Sequence, residues 1–228
     1  MTSATARIKI CGFRRLEDVE LAVALGVDML GFNCWAGSPR HVPIDELRPL
    51  VRAVPQRTEV VLVFVRAETD EVARTLAAID ARSQQLWIQL HGDEDPTRYA
   101  HLGVPAIQVL RVGGAEPSKV RASRVLVDVR APTFGGTGLR VDPGELARLL
   151  PALPLGWILA GGLDVENVRD AIRRYSPGAV DVASGVEVSP GVKDHAKMTA
   201  FVAAVREASQ AIEASVTREE SEENHVDC

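Results

Sequence analysis

Cys11 closes an apolar run, Arg7 to Cys11, with Gly12 directly behind it. As a thiolate it would serve as a base, but an ordinary cysteine ionises at about pH 8.5, so its neighbours must favour the anion. The plain alternative is a small inert hydrophobe on a buried strand. Asp128 interrupts a second apolar run, between Val127 and Val129. An unpartnered carboxylate there is costly. Asp128 is therefore either paired structurally or held at a raised pKa, where it can keep and release a proton. Arg40 follows Ser38 and Pro39. A solvated surface arginine is the ordinary reading, yet the proline fixes the backbone beside it and a planar guanidinium fork suits a carboxylate ligand. Asp181, inside the run Ala179 to Ala183, is either its partner or a structural acid. His91 in QLHG is as fit for a packed core group as for a ligand, and His41, His101, His195 and His225 read as solvated surface.

Two glycine-bearing segments complete the set. Gly161 and Gly162 follow the run Trp157 to Ala160, and Ser184 with Gly185 follows Ala183. Bare backbone N–H groups in such loops suit an anion, phosphate being the obvious one. The alternative is two ordinary turns. Gly135, Gly136 and Gly138 read as a flexible flap or as a plain linker.

These residues need elements to hold them. Apolar, β-branched runs recur at Arg7 to Cys11, Met29 to Asn33, Glu59 to Val65, Leu86 to Leu90, Ala106 to Leu110, Val125 to Val129, Trp157 to Ala160 and Ala179 to Ala183. Helical periodicity fills most gaps: Glu17 to Leu25, Ile44 to Ala53, Thr69 to Ile79, Thr97 to Leu102, Pro143 to Leu150 and Val165 to Tyr175, with Asp194 to Ala208 last. Alternation of strand and helix predicts an α/β fold with a parallel sheet, and eight repeats allow it to close into a single (β/α)8 barrel, although an open sheet satisfies the same pattern. The fifth crossover, Gly113 to Arg121, is short and rich in Gly and Pro, so the barrel should be slightly irregular there. The long loops Cys34 to Pro43 and Arg130 to Asp142 both follow a strand, on the face where parallel barrels keep their active sites. Loops after strands seven and eight are that barrel's usual phosphate site, which makes the two glycine segments more telling together than apart.

Composition narrows the function classes. Of 228 residues, 46% are hydrophobic and 25% charged, which suits one globular body and argues against disorder. The formal charge of −5 is local: Glu207 to Cys228 holds seven acids and one base, leaving 24 acids and 25 bases before it. We expect a catalytic barrel over 1–208 and a solvated, disordered acidic tail over 209–228. No basic stripe with interleaved aromatics is present, so nucleic acid is not an expected partner, and no run is long enough to cross a bilayer. Three cysteines without paired spacing point to neither disulfides nor zinc, and to a reducing, cytoplasmic setting. Cys11 and Cys34 lie at the ends of strands one and two, so they are also candidates for a redox-sensitive crosslink.

Taken in order, KICG (Lys9 to Gly12), EDV (Glu17 to Val19), GF (Gly31, Phe32), SPR (Ser38 to Arg40), QLHG (Gln89 to Gly92), GGTG (Gly135 to Gly138), AGGL (Ala160 to Leu163) with Asn167, VDVASGVE (Val180 to Glu187) and PGVKD (Pro190 to Asp194) closely resemble the phosphoribosylanthranilate isomerase family. The resemblance spans roughly Arg7 to Phe201. It implies a cytoplasmic barrel enzyme of tryptophan biosynthesis, monomeric or homodimeric. Such an enzyme rearranges N-(5-phosphoribosyl)anthranilate to 1-(2-carboxyphenylamino)-1-deoxyribulose 5-phosphate without a cofactor or metal. It implies Asp128 as general acid, Cys11 as general base and Arg40 near the anthranilate carboxylate. His91 and Asp181 would stand at the substrate, and Gly161, Gly162, Ser184 and Gly185 around its phosphate.

The chain departs from the family pattern at Cys34, where an aromatic is usual, and at Val141 and Pro143, since the family's Phe-Asp-Trp is here Val141, Asp142 and Pro143. Aromatic packing around the anthranilate ring should differ accordingly. Two other readings stay open. A related histidine-pathway isomerase family carries an aspartate at the end of strand one, which Cys11 does not match. A catalytically silent barrel that binds a phosphorylated ligand would not need both Cys11 and Asp128.

Overall fold

The computed structural model describes residues 5–79, 85–112, 117–129 and 143–226. Eight strands, β1 Arg7–Cys11, β2 Met29–Asn33, β3 Glu59–Phe64, β4 Gln85–Leu90, β5 Ala106–Arg111, β6 Arg124–Asp128, β7 Ile158–Ala160 and β8 Ala179–Val182, pair in chain order and in parallel. β8 returns to β1, with Lys9 opposite Asp181, so the sheet closes into a barrel. Every residue of β3 is buried, as expected of a parallel strand covered on both faces. The predicted runs for β1 and β2 match residue for residue.

Alternation along each strand sorts side chains into two packed sets. Met29, Val61, Ile107, Val109, Leu126, Ile158, Ala160 and Ala179 fill the lumen with Trp87 against them. Their neighbours in sequence, such as Ile8, Ile10, Leu30, Phe32, Leu62 and Val180, turn outward and meet the helices. Each fully buried side chain of this kind contributes about 1.5–3 kcal/mol relative to exposure. The helices are α1 Leu16–Ala24, α2 Ile44–Arg52, α3 Thr69–Ile79, α4 Pro143–Leu149, α5 Val168–Tyr175 and α6 His195–Val226. A short antiparallel hairpin, β9 Glu187–Ser189 with β10 Val192–Lys193, lies between β8 and α6.

Two expectations are corrected and one is met. The fourth crossover is a 3-10 helix, Pro96–Leu102, rather than an α-helix: Asp95 caps it by accepting from Thr97 N at 2.9 Å, and Gly103 ends it in the left-handed region. The fifth holds a 3-10 turn at Pro117–Lys119, in line with its predicted irregularity. The barrel does not stop at residue 208. Ser209 is fully buried and accepts from Ala6 N at 3.1 Å, Ile212 packs against the core, and α6 continues to Val226 where a disordered tail was expected. Helical spacing carries the buried face Met198, Phe201, Val202, Val205 and Ala208 straight on to Ser209. Val141, Asp142 and the Gly135–Gly138 flap lie outside the described residues.

Candidate active site

The ends of the strands decide what faces the cavity above the lumen core. Cys11 stands one step above Lys9 on β1 and turns inward, while Ile10 turns out. Asp128 does the same at the end of β6, and Asp181 in β8. Together with Arg40, Gln89, His91, Gly161, Gly162 and Ser184 they line one cavity of about 320 Å³. Elements far apart in sequence thus deliver the predicted acid, base, arginine and glycines to one place. Gly185 is the exception. It wedges between two loops, where a Cβ would come within 2.1 Å of Leu163 O, so it sets the closeness of the two glycine segments.

The space around Cys11 is built by glycines. Gly31 is its register partner on β2, and a Cβ there would sit 2.7 Å from Cys11 Sγ. Gly12 has φ +87°, and a Cβ on it would strike Arg40 Cδ at 2.5 Å, so Arg40 crosses directly over the residue after the thiol. Burial pushes the thiol up, and the charges of Lys9 and Lys193 push it back down.

Arg40 does not pair with Asp181. Its Nε and Nη2 clasp Glu187 of β9, at 2.9 Å to Oε1 and 2.6 Å to Oε2. Glu187 is buried and takes a further bond from Lys193 Nζ at 3.0 Å. Burial alone would raise the Glu187 carboxyl, but Arg40 and Lys193 hold it below its ordinary value. Lys193 Nζ also donates to Cys11 O at 2.6 Å, so one hairpin ties the arginine loop to the strand that carries the thiol. Asp181 instead binds Lys9 Nζ at 2.9 Å, because both project into the lumen from paired positions of β1 and β8.

His91 Nε2 stands 3.8 Å from Asp128 Oδ2, with Nδ1 3.3 Å from Gln89 Nε2. Burial, ahead of the opposing charge of Asp128, moves the imidazole below its usual value. Gln89 Oε1 is buried without a hydrogen-bond partner among the described residues. After β7, Gly161 and Gly162 have φ of +100° and +74°, and Asn167 Nδ2 donates to Gly162 O at 2.9 Å, which fixes the turn.

Several of these residues escaped the sequence reading. Lys9, Glu187, Lys193 and Gln89 all sit inside or beside quoted motifs, yet none had an assigned role. Trp35 is half exposed and lines the cavity, its indole laid over Gly37. It supplies an aromatic wall one residue after the cysteine that departs from the family pattern. Cys34 itself faces the outer core, where burial pushes its thiol up to about 12. Cys11 and Cys34 are both free thiols, the first lining the cavity and the second packed against the outer core, so their side chains leave the sheet on opposite faces. His195 is no plain surface group either, since its Nε2 lies 2.8 Å from the buried Asp18.

A larger hollow of about 650 Å³ lies near the loops after β4 and β5. Its acids are committed to loop structure: Glu94 accepts from Gly92 N at 2.6 Å and from Arg66 N, Asp95 caps Thr97, and Asp93 lies 3.7 Å from Arg111. It gathers neither the thiol nor Asp128.

A family profile described as N-(5'-phosphoribosyl)anthranilate isomerase matches residues 8–204. The N-(5'-phosphoribosyl)anthranilate isomerase of Dechloromonas aromatica is 41% identical over 215 residues, 90% of this chain and 99% of its own. Among solved structures, phosphoribosyl anthranilate isomerase from Thermus thermophilus superposes with a TM-score of 0.75 at 34% identity, covering 87% of this chain and 98% of that one. Another, in complex with reduced 1-(o-carboxyphenylamino)-1-deoxyribulose 5-phosphate, gives 0.73 at 29% identity, covering 88% and 98%. A profile that spans 8–204 and a relative 41% identical over nearly its whole length agree with the closed barrel, and this chain belongs to the N-(5'-phosphoribosyl)anthranilate isomerase family.

Proposed function

We propose that the chain isomerises N-(5'-phosphoribosyl)anthranilate, a step of tryptophan biosynthesis, with Asp128 as general acid and Cys11 as general base. The observation that carries the reading is the convergence of both groups, from β6 and β1, on the cavity that also holds Arg40 and the glycine turns. Asp128 gives its proton to the furanose ring oxygen as the C1–O bond breaks and the anilino nitrogen forms the iminium. The Cys11 thiolate then takes the proton from C2. The electrons of that C–H bond flow into the iminium and leave an enolamine, which tautomerises to the aminoketone as C1 gains a proton. C2 is oxidised and C1 reduced within one molecule, so the class is intramolecular oxidoreductase.

The remaining residues bind. The clasp with Glu187 uses Nε and Nη2 of Arg40, and its Nη1 edge is the one we assign to the anthranilate carboxylate. Trp35 gives the ring a face to lie on. Gly161, Gly162 and Ser184 receive the phosphate through backbone N–H groups, with Gly185 keeping the two turns together. His91, Gln89 and Asp181 surround the sugar, where Gln89 Oε1 would accept from a hydroxyl. We place the chain in the cytoplasm, on its unpaired cysteine spacing; no helix among the described residues is long and apolar enough to cross a membrane. The test is loss of anthranilate fluorescence when purified protein meets freshly made phosphoribosylanthranilate. Loss at a rate proportional to enzyme is expected, and its absence would overturn the assignment.

A further inference from the structure

The acid and base steps leave Lys9 without a task, yet it is a fully enclosed charge beside the base. It precedes Cys11 by two residues on β1, so the pleat turns both side chains into the lumen, and its own is 0% exposed. A charge so placed needs partners. Asp181 is one, at 2.9 Å from the opposing register position of β8. A thiolate directly above would be the second.

We propose that Lys9 is a positioning residue that stabilises the thiolate of Cys11, and that Asp181 anchors the ammonium while moderating its pull. This rests on Cys11 being the general base. Charged groups reach the thiol from every side: Lys9 on its own strand, Asp181 from β8, Lys193 from the hairpin and Arg40 from the loop after β2. Two of the cations are committed elsewhere. Arg40 is clasped by Glu187, and Lys193 divides its donors between Glu187 and the Cys11 carbonyl. Among the described residues Lys9 has no such outside bond beyond Asp181, and it is the largest influence opposing the burial that pushes the thiol up. Asp181, faced in turn by Lys9, Asp128 and His91, acts on the thiol in the opposite sense to Lys9. The two members of this ion pair carry opposite charges beside the base, so replacing each should move the thiol in opposite directions.

The experiment titrates Cys11 without substrate. Thiolate absorbance near 240 nm and the rate of alkylation by iodoacetamide are followed against pH, each corrected by a matched Cys11→Ser protein. Lys9→Met should raise the Cys11 midpoint by at least about one unit, seen as roughly tenfold slower alkylation at a fixed pH below it. Lys9→Arg should restore most of the loss, and Asp181→Asn should lower the midpoint. An unmoved midpoint in Lys9→Met, or shifts of the same sign in Lys9→Met and Asp181→Asn, overturns the proposal. Should Lys9→Met fail to fold, Asp181→Asn decides alone: a lower midpoint supports the proposal, an unchanged or higher one overturns it. Failure of the general-base reading would appear elsewhere, as full turnover in Cys11→Ser.

Discussion

The two ends of the barrel use charge in opposite ways. At the amino end of the strands, Glu59 accepts from Arg7 at 3.0 Å and from Arg124, whose guanidinium lies 3.7 Å from the centroid of Trp87. These groups satisfy one another and plug the lumen. At the carboxyl end, Cys11, Asp128, His91 and Gln89 converge on a cavity, and Gln89 Oε1 has no partner among the described residues. The same strands and the same alternation build both ends. What differs is whether polar groups are spent on each other or turned toward a space that a ligand can fill, and so stability and chemistry can be broken separately.

The largest expected effect is at the carboxyl end. Cys11→Ser and Asp128→Asn should each lower turnover by at least about a hundredfold, the scale for losing a general base or acid, while the urea midpoint barely moves. Gly31→Ala comes next: its methyl group would meet Sγ at 2.7 Å and displace the thiol, so turnover should fall about tenfold with the Michaelis constant nearly unchanged. Arg40→Ala should weaken binding instead, raising the Michaelis constant more than it lowers turnover, and an unchanged constant would count against the carboxylate contact. The amino end should answer the opposite way. Glu59→Gln strips two arginines of their shared anion and should cost about 2 kcal/mol in urea unfolding, less than for a fully buried pair because both arginines keep some exposure. Turnover of its folded fraction should stay within about twofold.

The smallest effect joins stability to pH. Glu187 is held below its ordinary value by Arg40 and Lys193 against the cost of burial. A depressed carboxyl contributes stability that is present above its unfolded pKa of about 4.3 and is lost as pH falls through the folded value. Acid unfolding of Glu187→Gln should therefore be less steep below pH ~4 than that of the wild type, as read by circular dichroism.

Much of this contrast was legible in the chain. Apolar, β-branched-rich runs such as Glu59 to Val65 read as strands covered on both faces, and eight of them with helices between allow the barrel while leaving an open sheet possible. Asp128 stood out because a carboxylate inside Val-Asp-Val needs a reason. Lys9, between Ile8 and Ile10, carried the same signal in the opposite charge. Other features were not legible because they are tertiary. Arg40 meets Glu187 across 147 positions of sequence, and no local pattern marks that pairing. The hairpin that carries Glu187 and Lys193 is too short for a periodic signal. Thr97 to Leu102 has helical spacing, but the preceding Asp-Pro and the following Gly103 leave room for only a short, tight helix.

The most direct test sets Cys11→Ser and Asp128→Asn beside Glu59→Gln, with turnover on phosphoribosylanthranilate and the urea midpoint measured on the same preparations. The account predicts that the first two lose turnover and keep stability, and that the third loses stability and keeps turnover. Turnover within tenfold of the wild type in a folded Cys11→Ser or Asp128→Asn protein would contradict it.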